Sequence, residues 1–237
     1  MKNQYFGDVN DYRKYGLLRA LQAPACLSLS VGWMLTPDDG SIDGRFRRYL
    51  REPGNWRHHD PLLFDHLSSV LTAGDAPCVA MVEQAAVLPE THFFSDIVPD
   101  DRLGRERWSE RLVDSSDGAD LVFLDPDNGF EVPSKPVGRK GSNKYVLWSA
   151  VERLWEAGSS VLVYQHYCRE PRRPFATRLA GEMRRRTGAG FVEGFSTSHV
   201  FFLLTAQPRH VELLREAILK ELPRWHGQIT TVGLSAD

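Results

Sequence analysis

Cysteine is scarce in this chain, and long apolar runs are missing from it. Cys26, Cys78 and Cys168 are odd in number, far apart and in no C-x-x-C unit. Neither a disulfide framework nor a cysteine zinc site is indicated, and buried free thiols are the expectation. No apolar stretch reaches the ~20 residues that span a bilayer. The opening MKNQYFGDVNDYRKYG lacks the apolar core of a signal peptide. A cytoplasmic protein with no membrane partner is therefore expected. An excess of one charge is also missing: 29 Lys and Arg stand against 31 Asp and Glu. No global basic field calls for nucleic acid, so such a partner would have to be met by local clusters. Closely spaced glycines, which let backbone approach a phosphate, are absent too. Gly40 and Gly44 give only a weak G-x-x-x-G. Repeats and low-complexity tracts are not found.

What is present centres on Leu121 to Pro133, LVFLDPDNGFEVP. Leu121 to Leu124 is apolar without alternation, as suits a strand buried on both faces. Pro126 ends the ladder, and Asn128-Gly129 is a turn pair that accepts positive φ. Asp125, Asp127 and Asn128 are thereby delivered to the carboxyl end of a central strand, where ligands bind in open α/β sheets. A purely structural use, capping the turn and the next helix, is the competing reading.

Elsewhere strands alternate with helices. A helix is expected over Tyr15 to Ala23, with Asp11 as its N-cap and Tyr12, Lys14 and Tyr15 near its start. Strands are expected over Cys26 to Leu35, Thr91 to Val98 and Ser159 to Gln165, the last carrying His166 past its end. Helices are expected over Leu62 to Leu71, Arg102 to Leu112, Lys144 to Ala157, Pro171 to Thr187 and His210 to Leu222. FVEGFS and HVFFLLT, from Phe191 and His199, read as an antiparallel hairpin. The expected fold is one α/β domain over 1–237. It is Rossmann-like, a mostly parallel twisted sheet with helices on both faces and a C-terminal antiparallel hairpin, preceded by a lid-like segment over 1–24.

A parallel sheet closed by such a hairpin resembles the S-adenosylmethionine-dependent methyltransferases. Those that act on adenine or cytosine amines carry Asp/Asn-Pro-Pro-aromatic after this strand; here the turn is Asp125-Pro126-Asp127-Asn128. The chain also resembles the J-type adenine methyltransferases of bacterial large-subunit ribosomal RNA. Their Gly-Asn-x-Ala-Asp-Val-x-Lys-His segment corresponds to Gly7 through Tyr15, with Lys14 at the lysine and Tyr15 at the histidine. Their Asp-Thr-His-Ala-Gly-x-Gly corresponds to Leu35-Thr36-Pro37-Asp38-Asp39-Gly40, with one glycine retained.

The resemblance implies methylation of an exocyclic amine of a nucleic-acid base, with S-adenosylmethionine as cofactor and RNA, DNA or a nucleotide-like small molecule as partner. Asp125, Pro126, Asp127 and Lys14 would be catalytic. Tyr15, Gly32, Trp33, Thr36 and Gly40 would line the cofactor. Tyr12 or Phe130 would stack on the base, with Asn128 and His166 nearby. Arg45, Lys135, Arg139 and Lys140 would track phosphates. Two other classes compete. Asp38, Asp39, Asp125, Asp127 and His166 could converge on Mg2+ in a nuclease or phosphohydrolase. The fold could also serve as a silent module that binds nucleic acid or protein.

Overall fold

The computed structural model describes residues 1–22, 26–40, 44, 46–73, 76–85 and 87–234. Its strands are β1 (Leu29–Gly32), β2 (Thr91–Phe94), β3 (Leu121–Leu124), β4 (Gly129–Phe130), β5 (Tyr145–Val146), β6 (Ser160–His166), β7 (Phe191–Ser196), β8 (Val200–Ala206) and β9 (Thr230–Thr231). Its helices are α1 (Val9–Gln22), α2 (Pro53–Trp56), α3 (Pro61–Thr72), α4 (Ala80–Glu83), α5 (Arg102–Ser115), α6 (Trp148–Glu156), α7 (Arg172–Thr187) and α8 (Val211–Glu221). The main sheet has the order β2-β1-β3-β6-β8-β7-β9, the first four strands parallel and the rest antiparallel to their neighbours. This is the expected Rossmann-like α/β fold, closed by the β7–β8 hairpin. No helix of the described residues is long and apolar enough to cross a membrane.

The unalternating apolar strand has its cause here. Leu121 and Phe123 enter a core with α1, α3 and α8, while Val122 and Leu124 enter a second core with α5, α6 and α7. β6 and β8 divide the same way, so the central strands carry apolar residues on both faces. From β1 the chain moves outward to β2, then returns past β1 to β3. The β1–β3 boundary is thus a topological switch point, whose crevice opens at the strands' carboxyl ends.

Several boundaries shift from expectation. Tyr145 and Val146 do not begin a helix but pair with Gly129 and Phe130 in a small parallel ribbon beside the main sheet. The cysteines differ as well: Cys26 and Cys168 are exposed and Cys78 half-buried. Each lies in a connection between elements, so apolar sequence neighbours misled the expectation.

The N-terminal helix departs most. It begins at Val9, and twelve of its fourteen residues are buried. An amphipathic helix hides one stripe; this one is enclosed by the sheet, α3, α8 and the segment at Trp225. It belongs to the core, so the lid expected over 1–24 is corrected for its described part. Gly16 shows how tight the enclosure is: an added Cβ would lie 1.9 Å from a ring carbon of Trp225. That ring is itself fixed against Tyr12 (4.9 Å) and His59 (5.4 Å). Gly-to-Ala in an open helix stabilises by about 1 kcal/mol. Gly16→Ala is expected to reverse that sign and destabilise by about 1–3 kcal/mol in urea unfolding; an unchanged midpoint would mean the ring can swing aside.

Candidate functional site

The turn after β3 is held by main chain. The Asp125 N–H donates to the Gly32 carbonyl (3.0 Å), and Pro126 has none to offer. The Asn128 N–H donates to the Lys144 carbonyl (2.9 Å), and the His166 N–H donates to the Asn128 carbonyl (3.1 Å). Gln165, at the end of β6, clamps the turn. Its Oε1 accepts the Phe130 N–H (2.8 Å) and its Nε2 donates to the Asn128 carbonyl (3.1 Å). Gly129 sits at φ +120° with Gln165 where a Cβ would be, so glycine is needed for both backbone and clearance. Gln165 escaped the sequence reading because it stands at the end of an apolar run and carries no motif.

With the turn satisfied by amides, its carboxylates are left to other partners. Lys14 of α1 donates its ammonium to Asp125 Oδ2 and to Asp11 Oδ1, each at 2.7 Å. Its side chain is 1% exposed. Burial alone would lower its pKa, but Asp11 and Asp125 outweigh that and hold it above the ordinary lysine value. Burial raises the Asp11 pKa against the pull of Lys14. Asp11 is no N-cap; its Oδ2 accepts the Gly7 N–H at 2.9 Å. The capping position falls to Asp8, whose carboxylate accepts the Asn10 N–H.

A second buried pair lies alongside. The Met1 ammonium contacts Asp127 Oδ1 (2.7 Å) and donates to the carbonyls of Asp125 (2.9 Å) and Met34 (3.1 Å). Asp127 Oδ2 accepts the Thr36 hydroxyl at 2.7 Å. Burial would raise the Asp127 pKa, but the Met1 ammonium and Thr36 hold it below the usual carboxylate range. Met34 has φ +49°, a left-handed conformation that costs a non-glycine residue about 1–3 kcal/mol.

These groups line a cleft of about 350 Å³ at the carboxyl edge of β3 and β6. Asp8, Asp11, Lys14, Asp125, Pro126, Asp127 and Asn128 form its floor and wall, with Tyr164, His166, Lys144 and Phe46 beside them. That volume lies at the lower end of the range for ligand clefts. Asp8 differs from the other acids because no ammonium is bonded to it. Burial and the neighbouring Asp11 raise its pKa to about 6. His166 keeps solvent access, yet lost hydration lowers its pKa more than Asp125 and Asp127 raise it. Burial, then Asp125, pushes the Tyr164 hydroxyl well up.

The structure thus brings together Lys14, Asp125, Pro126, Asp127, Asn128 and His166. It does not bring the other expected residues to the cleft. Tyr12 is fully buried, stacked on Tyr49 (5.2 Å), with its hydroxyl donating to the Trp56 carbonyl. Phe130 is stacked on Trp148 at 3.9 Å. Neither ring is free to meet a base, because both complete cores. Tyr15 and Trp33 are fully buried, and Trp33 donates to Glu83 Oε1. Gly32 is enclosed by Leu112 and Leu124. Thr36 serves Asp127, and Gly40 lies in an exposed turn with φ +70°. Lys135, Arg139 and Lys140 sit on a loop clamped to Asp100 rather than on the cleft. The amides of Gly141 and Asn143 donate to that carboxylate at 3.0 and 2.8 Å. Arg45 lies outside the described residues. Asp38 accepts the Gln4 N–H and Asp39 pairs with Lys2, and neither lines the cleft. Among the described residues no three His, Cys, Asp or Glu side chains converge to hold a metal ion.

Asp8 makes a pH prediction. Its carboxyl keeps its proton to higher pH in the folded chain than in the unfolded chain, so stability falls as pH rises from about 4 to about 6. Asn caps a helix as well as Asp does. Asp8→Asn is expected to match the parent near pH 4 and exceed it by up to about 3 kcal/mol at pH 7.5. Urea unfolding of both proteins at the two values checks it. A difference that does not change with pH would place Asp8 in an ordinary solvated setting. In comparisons with known proteins, no family model matches the chain and no curated protein matches it.

Proposed function

We propose that the cleft is the active site of an S-adenosylmethionine-dependent methyltransferase acting on an exocyclic amine of a nucleic-acid base. One observation carries the reading. Lys14 and Asp125 are 111 positions apart and were singled out on separate motifs, yet they meet at 2.7 Å in a cleft at the switch point. A buried ion pair costs desolvation and is weak evidence for stability alone; at a ligand edge it is a candidate site.

The donor set suits such a cofactor on its charged side. Of the four carboxylates lining the cleft, three engage the Lys14 and Met1 ammonium groups, and Asp8, bonded to neither, is the acid left to face a sulfonium or an α-ammonium. S-adenosylmethionine would supply an electrophilic methyl group. The target amine is a poor nucleophile because its lone pair is conjugated into the ring. Asp125, held through Oδ2 by Lys14, and the Pro126 carbonyl would accept the amine's hydrogens and localise that lone pair. Asp8, not bonded to either ammonium, would take the proton that methylation releases. Lys14 acts by holding Asp125 and is a positioning residue. The metal-dependent hydrolase is not favoured, because ammonium groups already engage Asp11, Asp125 and Asp127.

The test is titration calorimetry with S-adenosylmethionine, followed by transfer of labelled methyl groups to RNA, DNA and free nucleosides. Saturable binding is expected, weakened in Asp127→Asn. Asp125→Asn, which keeps an oxygen for Lys14, should lower the transfer rate by about 10²–10³-fold in protein that circular dichroism shows to be folded. Asp38→Ala should leave it unchanged. No binding at millimolar cofactor would overturn the reading.

A further inference from the structure

The stacking residue and the phosphate contacts expected from the sequence are not at the cleft, yet the cleft is not without an aromatic ring or cations. Phe46 lines it and is 69% exposed. Leaving a phenyl ring in water forfeits about 1.5–3 kcal/mol of burial. Its backbone is fixed nonetheless, since its carbonyl accepts the Val9 N–H at the start of α1 (3.0 Å). An exposed ring on a firm backbone at the mouth of a polar cleft is what a stacked planar ligand requires.

The arginines of α7 are sorted by partner. Further along α7, Arg178 pairs with Glu170, Arg185 with Glu182, and Arg186 with Glu152 and Glu182. At its beginning Arg172 meets no carboxylate among the described residues. Its guanidinium lies over Tyr167 (4.5 Å) and donates to the carbonyls of Ser198 (2.7 Å) and Thr197 (3.4 Å). Those carbonyls belong to the β7–β8 turn, which also carries exposed His199. The sheet register places that turn beside His166, which lines the cleft and is opposite Val200. Lost hydration and then Arg13 and Arg172 lower the His199 pKa, in keeping with cations gathered on this side. Lys144 lines the cleft itself.

We propose that the cleft receives its base from a single-stranded nucleic acid, with Phe46 as the stacking face and Arg172, His199 and His166 contacting the flanking phosphates. This rests on the proposed function for the identity of the base-binding cleft, and it adds the polymer and the path of its backbone. Unpaired strands present bases already free to enter a cleft, whereas a duplex must first be opened. Phosphodiesters would supply the anion that Arg172 lacks, since the nearby Glu170 is taken up by Arg178.

The experiment is fluorescence anisotropy without cofactor, using labelled single-stranded RNA and DNA of about twelve nucleotides and a labelled mononucleotide. Salt is varied from about 50 to about 200 mM. The oligonucleotide is expected to bind at least tenfold tighter than the mononucleotide, with affinity falling as salt rises. Phe46→Ala should weaken it roughly tenfold at every salt concentration, and Phe46→Trp should restore it. Arg172→Gln, which keeps donors for the turn, combined with His199→Ala should weaken it about tenfold at low salt. That pair should also flatten the salt slope by about one. Lys135→Ala with Lys140→Ala should leave binding unchanged. Circular dichroism confirms that each variant folds. Equal affinity for mononucleotide and oligonucleotide, tighter binding of duplex, or parent-like binding by both the Phe46 and Arg172 variants would overturn the proposal. Such failures leave the methyl-transfer reading untouched, since no cofactor is present. Oligonucleotide binding without any methyl transfer would remove that reading alone.

Discussion

One ammonium group organises this molecule. Lys14 is taken out of water and shared by Asp11 on its own helix and Asp125 at the end of a central strand. Taking three charges out of water costs several kcal/mol each before attraction returns any of it. The arrangement persists because removing one partner leaves the others charged in a low dielectric, a penalty of about 3–5 kcal/mol. The pair therefore welds α1 to the carboxyl edge of β3. The helix that a surface reading would leave amphipathic is consequently buried almost all round.

That weld also pre-organises the cleft. The turn from Asp125 to Gly129 is satisfied by main chain and by Gln165, so its carboxylates need no turn hydrogen bonds. Lys14 and Met1 hold two of them in place. Groups fixed before a ligand arrives need no reorganisation when charge develops, which makes such sites effective electrostatically. Met34, held left-handed at the end of β1 with its carbonyl on the Met1 ammonium, places backbone strain at the same spot.

The sheet was legible because its signal is local. Four apolar residues without alternation demand two covered faces, and Val122 and Phe123 do enter opposite cores. The Asp-Pro-Asp-Asn-Gly turn was legible for the same reason: proline ends a ladder and glycine admits positive φ wherever they stand. Aromatic residues were not legible. Tyr12, Phe130 and Phe46 look alike in sequence, and only tertiary packing decides that the first two complete cores while the third faces water. Cations failed similarly. The cluster from Lys135 to Lys140 is conspicuous in sequence, but Asp100 draws the loop aside. Arg172 was hidden among arginines that differ only in whether a glutamate lies within reach.

The same distinction explains how the cleft divides its labour. Acids and bonded ammonium groups lie on the floor, where low dielectric strengthens each interaction. Asp8 is the exception there, carrying no bonded cation and a pKa raised to about 6. The margin carries an exposed ring and, in Arg172, a guanidinium that meets backbone carbonyls and the Tyr167 ring. Screening over about 8–10 Å weakens charges at such a margin. They attract and align a polyanion without fixing chemistry, while the floor fixes chemistry without attracting an anion. An acidic floor alone would repel a phosphate-bearing ligand, and a basic margin alone would bind one without acting on it. Asp125 and Arg172 serve one ligand only if a neutral base goes inward and its phosphates stay outside, and that orientation follows from the charges alone.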